Sequence, residues 1–175
     1  LLAIFSARFP LAETLLQPYM AAVQTVPVAS FIVIALLWLS GRRLSIFIAF
    51  LMVLPVLYAN FLQGIRAADG KLLEMAQVFR MPLVNRIRCI YTPAVRPYLL
   101  SACRSALGLC WKAGVAAEVI GVCGGSIGGM LYDAKVYLEI EDLFAWTLVI
   151  VVISVVFEKG FTWLLGLTLT RLEGK

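Results

Sequence analysis

Between Glu13 and Arg42 lie 28 residues without a charged side chain, and between Arg43 and Arg66 another 22. A third charge-free run covers Leu143 to Phe157. The hydrocarbon core of a bilayer needs about 20 apolar residues in helical form to be crossed. Such runs are the strongest constraint on how this chain can fold. Of its 175 residues 62% are apolar and 14% are charged, and the mean hydropathy is +0.96. A soluble domain of this size has too little interior to hide so much apolar surface. Composition therefore excludes a soluble enzyme, a disordered tail and a secreted disulfide scaffold. It leaves an all-α polytopic membrane protein.

Absent residues narrow the chemistry. There is no histidine, which excludes His-based catalysis, haem ligation and most zinc sites. Cys89, Cys103, Cys110 and Cys123 form no C-x-x-C pair and read as small hydrophobes. No metal and no cofactor are expected. The net charge of +5 would suggest nucleic acid in a soluble protein. Here it bears on membrane orientation instead, and no nucleic-acid partner is expected.

The charges divide the chain. Leu1 to Phe5 reads as the tail of a preceding span, so an N-terminal helix is expected upstream, giving about five spanning helices in all. Ala7 to Pro18 reads as a connection. Spans are expected at 19–39, 44–64, 98–120 and 143–160, with kinks at Pro27 and Pro55. Beyond Glu158 the last helix either continues or turns along the interface. The segment 66–97 is too polar to span. Asp69 suits the N-cap of a helix over Lys71 to Phe79. Pro82 suits the start of a second short helix, which Thr92-Pro93 should end. The outer loop, 121–142, holds a glycine cluster and a short helix over Met130 to Leu138. With alternating spans, nine of the basic residues fall on the side of segment 66–97 and three on the other. The excess of Lys and Arg puts segment 66–97 in the cytoplasm and the glycine loop outside.

Segment 66–97 contains Glu74, Ala76, Ile90, Pro93 and Pro97 in an ordered spacing. This resembles the cytoplasmic motif of binding-protein-dependent ABC importer permeases: Glu-Ala-Ala, three residues, Gly, then Ile-x-Leu-Pro and a further Pro. Arg80 stands where the family has glycine, Met75 at the second residue of the triplet, and Thr92 at the leucine. Glycine turns sharply and arginine does so at a cost, so a turn of changed geometry is expected. Asn60, Gly64, the run Ala116-Ala117-Glu118 and the stretch from Tyr132 to Leu138 are similar to the nitrate/sulfonate/taurine-type branch. The resemblance implies a type I importer fold in the bacterial plasma (inner) membrane. It also implies an ATP-binding subunit, an extracytoplasmic substrate-binding protein and a second permease copy as partners. The permease itself would not be an enzyme, and no G-x-x-x-x-G-K-[ST] phosphate loop is present. Glu74, Ala76, Arg80 and Pro93 would form the ATPase-coupling element.

Two further groups of residues are candidates for function. Lys112 and Glu118 sit on one expected span, and ionisable groups at that depth mark pathways or structural pairs. Lys112 either meets an anionic substrate or pairs with a carboxylate such as Glu158. Glu118 either steadies the glycine loop through its N–H groups or touches the binding protein. Gly125, Ser126, Gly128 and Gly129 would form an outer gate or binding-protein contact, or else a close-packed helix contact. The competing function is a secondary transporter or channel in which Lys112 and Glu118 bind the ion or solute directly. Transport without ATP hydrolysis would distinguish it.

Overall fold

The computed structural model describes residues 2–173, and the side chains of 2–167. The side chain of Arg171 and Lys175, two of the basic residues in the charge comparison, lie outside the described residues. Among the described residues all regular structure is helical. The helices are α1 Leu2–Arg8, α2 Pro10–Thr25, α3 Val28–Ala35, α4 Arg42–Arg66 and α5 Gly70–Val78. They continue with α6 Leu83–Arg86, a π turn Ile87–Tyr91, α7 Thr92–Ile120, α8 Ile127–Val136 and α9 Ile140–Glu173.

Two helices are long and apolar enough to cross a membrane, α4 and the stretch Ile140–Leu167 of α9, each with mean hydropathy 2.2. Counting α2 and α3 as one bent span makes three. Three expectations are corrected. The span at 19–39 is not one kinked helix: α2 and α3 meet at 98°. Pro27, extended at ψ 132°, supplies no N–H and caps α3 from outside it. Residues 10–18 are not a loose connection but the first half of α2. Pro55, by contrast, lies inside an unbroken α4. Thr92-Pro93 does not end the second short helix, because α6, the π turn and α7 run on without a break. Pro93 would clash with the carbonyl four residues back in a plain α-helix. Widening the preceding turn by one residue relieves that clash, which is how π turns admit such residues. Of the two courses left open beyond Glu158, the helix continues: α9 runs unbroken through Glu158 and Lys159 to Glu173. α7 has the length of a span at 29 residues, but Arg96, Arg104, Lys112 and Glu118 keep it from the apolarity of α4 and α9.

The chain forms two compact units. One comprises Leu1–Tyr19, Val56–Ser105 and Phe161–Lys175; the other comprises Met20–Pro55 and Ala106–Gly160. In the second unit Leu44, Ile48 and Met52 recur every four residues on α4 and meet Ala113 and Ala117 of α7 with Ile32 and Ala35 of α3. Facing large side chains with alanines lets the helices approach closely. In the first unit Arg66 at the end of α4 pairs with Glu13 of α2. Gly64 lies against the start of α7: a Cβ there would sit 3.1 Å from Val95 Cα. Asn60 donates to the Val56 carbonyl at 2.9 Å. Gly64 and Asn60 thus have packing and hydrogen-bonding reasons for being what they are.

Candidate functional site

In the first unit, α5 and α6 are two short helices joined by a tight turn, together called the hairpin. Asp69 caps α5, its carboxylate accepting from Lys71 N–H at 2.9 Å. The end of α5 turns on Arg80, whose φ is +48°. Met81 N–H donates to Ala76 O at 2.9 Å and Arg80 N–H to Gln77 O at 3.1 Å. These are the six-to-one and five-to-two bonds of a helix closed by a left-handed residue, a position that favours glycine. Arginine therefore adopts the conformation that the family's glycine would take, at a cost of roughly 1–2 kcal/mol. Ala76 is fully buried beneath α5, where a larger side chain would lift the helix. Outside, the hairpin shows Val78, Phe79, Leu83 and Val84, each more than 70% exposed. Glu74 is exposed beside them and makes no ion pair among the described residues. Pro93 is exposed at the start of α7.

In the second unit the structure brings Glu118, Ser126, Gly128 and Gly129 together. Glu118 Oε2 accepts from Gly128 N–H at 3.0 Å. Ser126 is the N-cap of α8: its hydroxyl accepts from Gly129 N–H at 3.0 Å and donates to Cys123 O at 2.8 Å. The N-terminus of α8 is thus held by one carboxylate and one hydroxyl, where anionic groups are favoured. A Cβ on Gly128 would come within 2.4 Å of Glu118 Cβ and 2.9 Å of Val115 O. One on Gly129 would meet Cys123 O at 2.1 Å. Both glycines are buried, so here they serve close packing. Gly125, at φ +73°, turns the chain with open space around it. The Cys123 thiol beside this cluster is buried, and burial first, then the Glu118 carboxylate, pushes its pKa up.

Lys112 is not part of this cluster. It is exposed on α7 and makes no ion pair among the described residues, so it is not joined to Glu158. Trp111, Gly114, Val115 and Glu118, spaced i, i+3, i+4, i+7, share a different face of α7 and line a cleft of about 700 Å³ with Arg42 and Ser45 of α4. Ser45 Oγ and Trp111 Nε1 are buried there without a protein partner. Trp111, Arg42 and Ser45 were not singled out by charge or motif. The helical spacing from Glu118 back to Trp111 is the signal that points to them. Among the described residues no group of His, Cys, Asp and Glu could hold a metal ion.

The profile of the family described as "Binding-protein-dependent transport system inner membrane component" matches residues 1–172. The putative aliphatic sulfonates transport permease protein SsuC of Bacillus subtilis (strain 168) is 32% identical over 156 residues, 88% of this chain and 55% of that protein. The nitrate import permease protein NrtB of Synechococcus elongatus is 31% identical over 120 residues, 68% of this chain and 43% of that protein. The taurine transport system permease protein TauC of Escherichia coli (strain K12) is 24% identical over 152 residues, 86% and 55% of the two chains. The chain spans about half the length of these curated relatives. With its long apolar helices and this match over nearly its whole length, the chain belongs to the inner-membrane components of binding-protein-dependent transport systems, multi-pass proteins of the bacterial plasma membrane.

Proposed function

We propose that the chain is the permease part of an ATP-driven importer, passing a small anion from a binding protein to the cytoplasm by alternating access. Its relatives are named for aliphatic sulfonates, nitrate, bicarbonate and taurine, solutes with an anionic group in common. A separate ATP-binding subunit supplies the energy, and a second permease copy completes the pathway. α7 is a spanning helix in this reading, and Lys112, exposed on it, attracts the anion along the way. The excess of basic residues puts the hairpin in the cytoplasm.

The observation that carries the reading is the hairpin itself: a capped, sharply turned helix pair whose outward side is apolar around the unpaired Glu74. An exposed apolar face with one carboxylate suits docking on a partner that offers a cation. Glu118, with one oxygen committed to Gly128 N–H, supports a structural role over ion binding. The test is Glu74→Lys. Losing one partner of a buried interfacial charge pair costs about 2–5 kcal/mol, and reversing its charge at least as much. The expected mutant reaches the membrane at normal level. Its ATP-binding subunit no longer co-purifies, or hydrolyses ATP without transport. Import at the unsubstituted rate would show that the hairpin is not the coupling element.

A further inference from the structure

The cleft between α4 and α7 in the second unit holds hydrogen-bond donors that the protein leaves unserved. Its volume, about 700 Å³, suits a small organic ion. Arg42, exposed at the start of α4, lines it and makes no ion pair among the described residues. Ser45, one turn further along α4, is 8% exposed, and its Oγ has no partner. Thr14, Thr25 and Thr147 turn their hydroxyls back to the carbonyl four residues before them; Ser45 does not. Trp111 of α7 likewise leaves its Nε1 buried and unpartnered. Both atoms are shut off from bulk water, so solvent does not satisfy them, and an unmet buried donor is costly. A guanidinium and an indole N–H can only donate. What these side chains lack is an acceptor, and donors grouped with a positive charge suit an oxyanion. One acceptor shares the cleft with them. Glu118 lies two turns, about 10 Å, along α7 from Trp111. Its Oε2 is taken by Gly128 N–H, which leaves the other oxygen without a hydrogen bond. Arg42 and Glu118 line one cleft and do not pair with each other.

We propose that this cleft binds a small oxyanion that carries a hydrogen-bond donor of its own: the anionic end meets Arg42, Ser45 and Trp111, and the donor meets the remaining oxygen of Glu118. This rests on the permease reading and deepens it. In the orientation that the charges give, the cleft opens at the outer ends of α4 and α7, where an incoming solute is received. Rotation of Ser45 and Trp111 toward the cleft they line presents both donors to the ligand. Glu118 then discriminates among anions. One that can only accept meets its carboxylate unrelieved, whereas a hydroxyl or an ammonium group on the ligand relieves it. The bond from Gly128 is kept, because the two carboxylate oxygens act separately.

The test reads occupancy of the cleft directly. Ile46, exposed and lining it, is replaced in the permease purified with its ATP-binding subunit, as Ile46→Cys with the four native cysteines removed. Maleimide labelling is timed in the presence of hydroxyethanesulfonate or ethanesulfonate, anions of equal charge that differ by one hydroxyl donor. Both should slow labelling, hydroxyethanesulfonate at a several-fold lower concentration. Arg42→Gln should raise the concentration needed by about tenfold or more. Arg42 is exposed, so this variant keeps the fold. Trp111→Phe, which keeps a ring and loses the N–H, should raise it several-fold. Arg43→Gln, the same loss of charge at a residue that does not line the cleft, should leave it unchanged. No protection by either anion, equal protection by both, or protection unaltered by Arg42→Gln overturns the proposal. So does equal weakening by Arg43→Gln, which would mark general charge attraction only. Import into liposomes carrying the complex and its binding protein scores the permease reading separately. Import without ATP hydrolysis overturns that reading, whereas ATP-driven import with no protection at Ile46→Cys overturns the cleft site alone.

Discussion

Three residues other than glycine hold left-handed backbone, Arg80, Val122 and Leu138 at φ +48°, +50° and +58°, among the described residues. Each stands just beyond the end of a helix, α5, α7 and α8. Glycine at such a position removes the Cβ clash but costs the unfolded chain more entropy. For Arg80→Gly the balance favours stability by about 0.5–1 kcal/mol, whereas Arg80→Val, branched at Cβ, should destabilise. Thermal unfolding midpoints of the detergent-purified protein check both signs. Cys123 offers a second test at this scale. Alkylation proceeds through the thiolate, so a raised pKa lowers reactivity at any pH below it. Near pH 8 Cys89, which is exposed, should label well before Cys123, which is buried. Glu118→Gln should speed Cys123 by removing the neighbouring charge. Equal labelling rates for Cys89 and Cys123 in the folded protein would contradict the burial described.

At the scale of elements, the contrast between Pro27 and Pro55 is instructive. Both lie in apolar runs, yet one stands at a 98° break and the other inside an unbroken helix. Proline removes one N–H wherever it stands; what differs is whether packing rewards continuing. Pro55 is fully buried, while Pro27 is exposed between two short helices. The glycine loop is similar. A run of glycines suggests flexibility, but Gly128 is where α8 seats on the end of α7, and Gly129 closes on the Cys123 carbonyl of the loop. Gly128→Ala should therefore push Glu118 away and break its bond to the α8 N-terminus. Overpacking of this kind costs about 1–3 kcal/mol. Amide exchange of residues 127–130 should quicken in Gly128→Ala, and Gly124→Ala, with open space around it, should leave them unchanged. Equal exchange in both variants would return the cluster to a mobile gate.

For the whole molecule, the proposed orientation rests on charge. Nine basic residues against three is a bias of the kind that sets topology in short loops. In a background with all four cysteines replaced, Asn85→Cys should react only with reagent on the cytoplasmic side and Asp133→Cys only from outside. Both positions are exposed. The reverse pattern would invert the orientation, and with it the coupling role of the hairpin. The fold class was legible because apolar runs without charge have few alternatives to membrane helices. The number of spans was less so: α2 and α3 make a span only if the bent pair is counted as one, and α7 with its four charges falls short of the apolarity of α4 and α9.

The sequence by itself determined the helical membrane class, the short helix that follows Asp69 with Asp69 as its cap, and a helix start after Pro82. These depend on local chemistry, on hydropathy and on residues a few places apart. Only the tertiary structure decided that Arg80 turns like glycine, that Thr92-Pro93 continues a helix, and that Glu118 holds the N-terminus of α8. For Glu118 the partner is on another helix; for Arg80 and Thr92 the bonds reach only three to five residues back, and the contest is between two local backbone shapes. Arg80 tolerates strain because two carbonyls of α5 are satisfied at once. Thr92-Pro93 stays helical because the widened turn before it relieves the clash of the Pro93 ring with the preceding turn. Glu118 finds Gly128 ten residues on because two helices without intervening side-chain bulk can close to hydrogen-bond distance. Spacing along the chain carries no record of such outcomes, which are settled by packing in three dimensions.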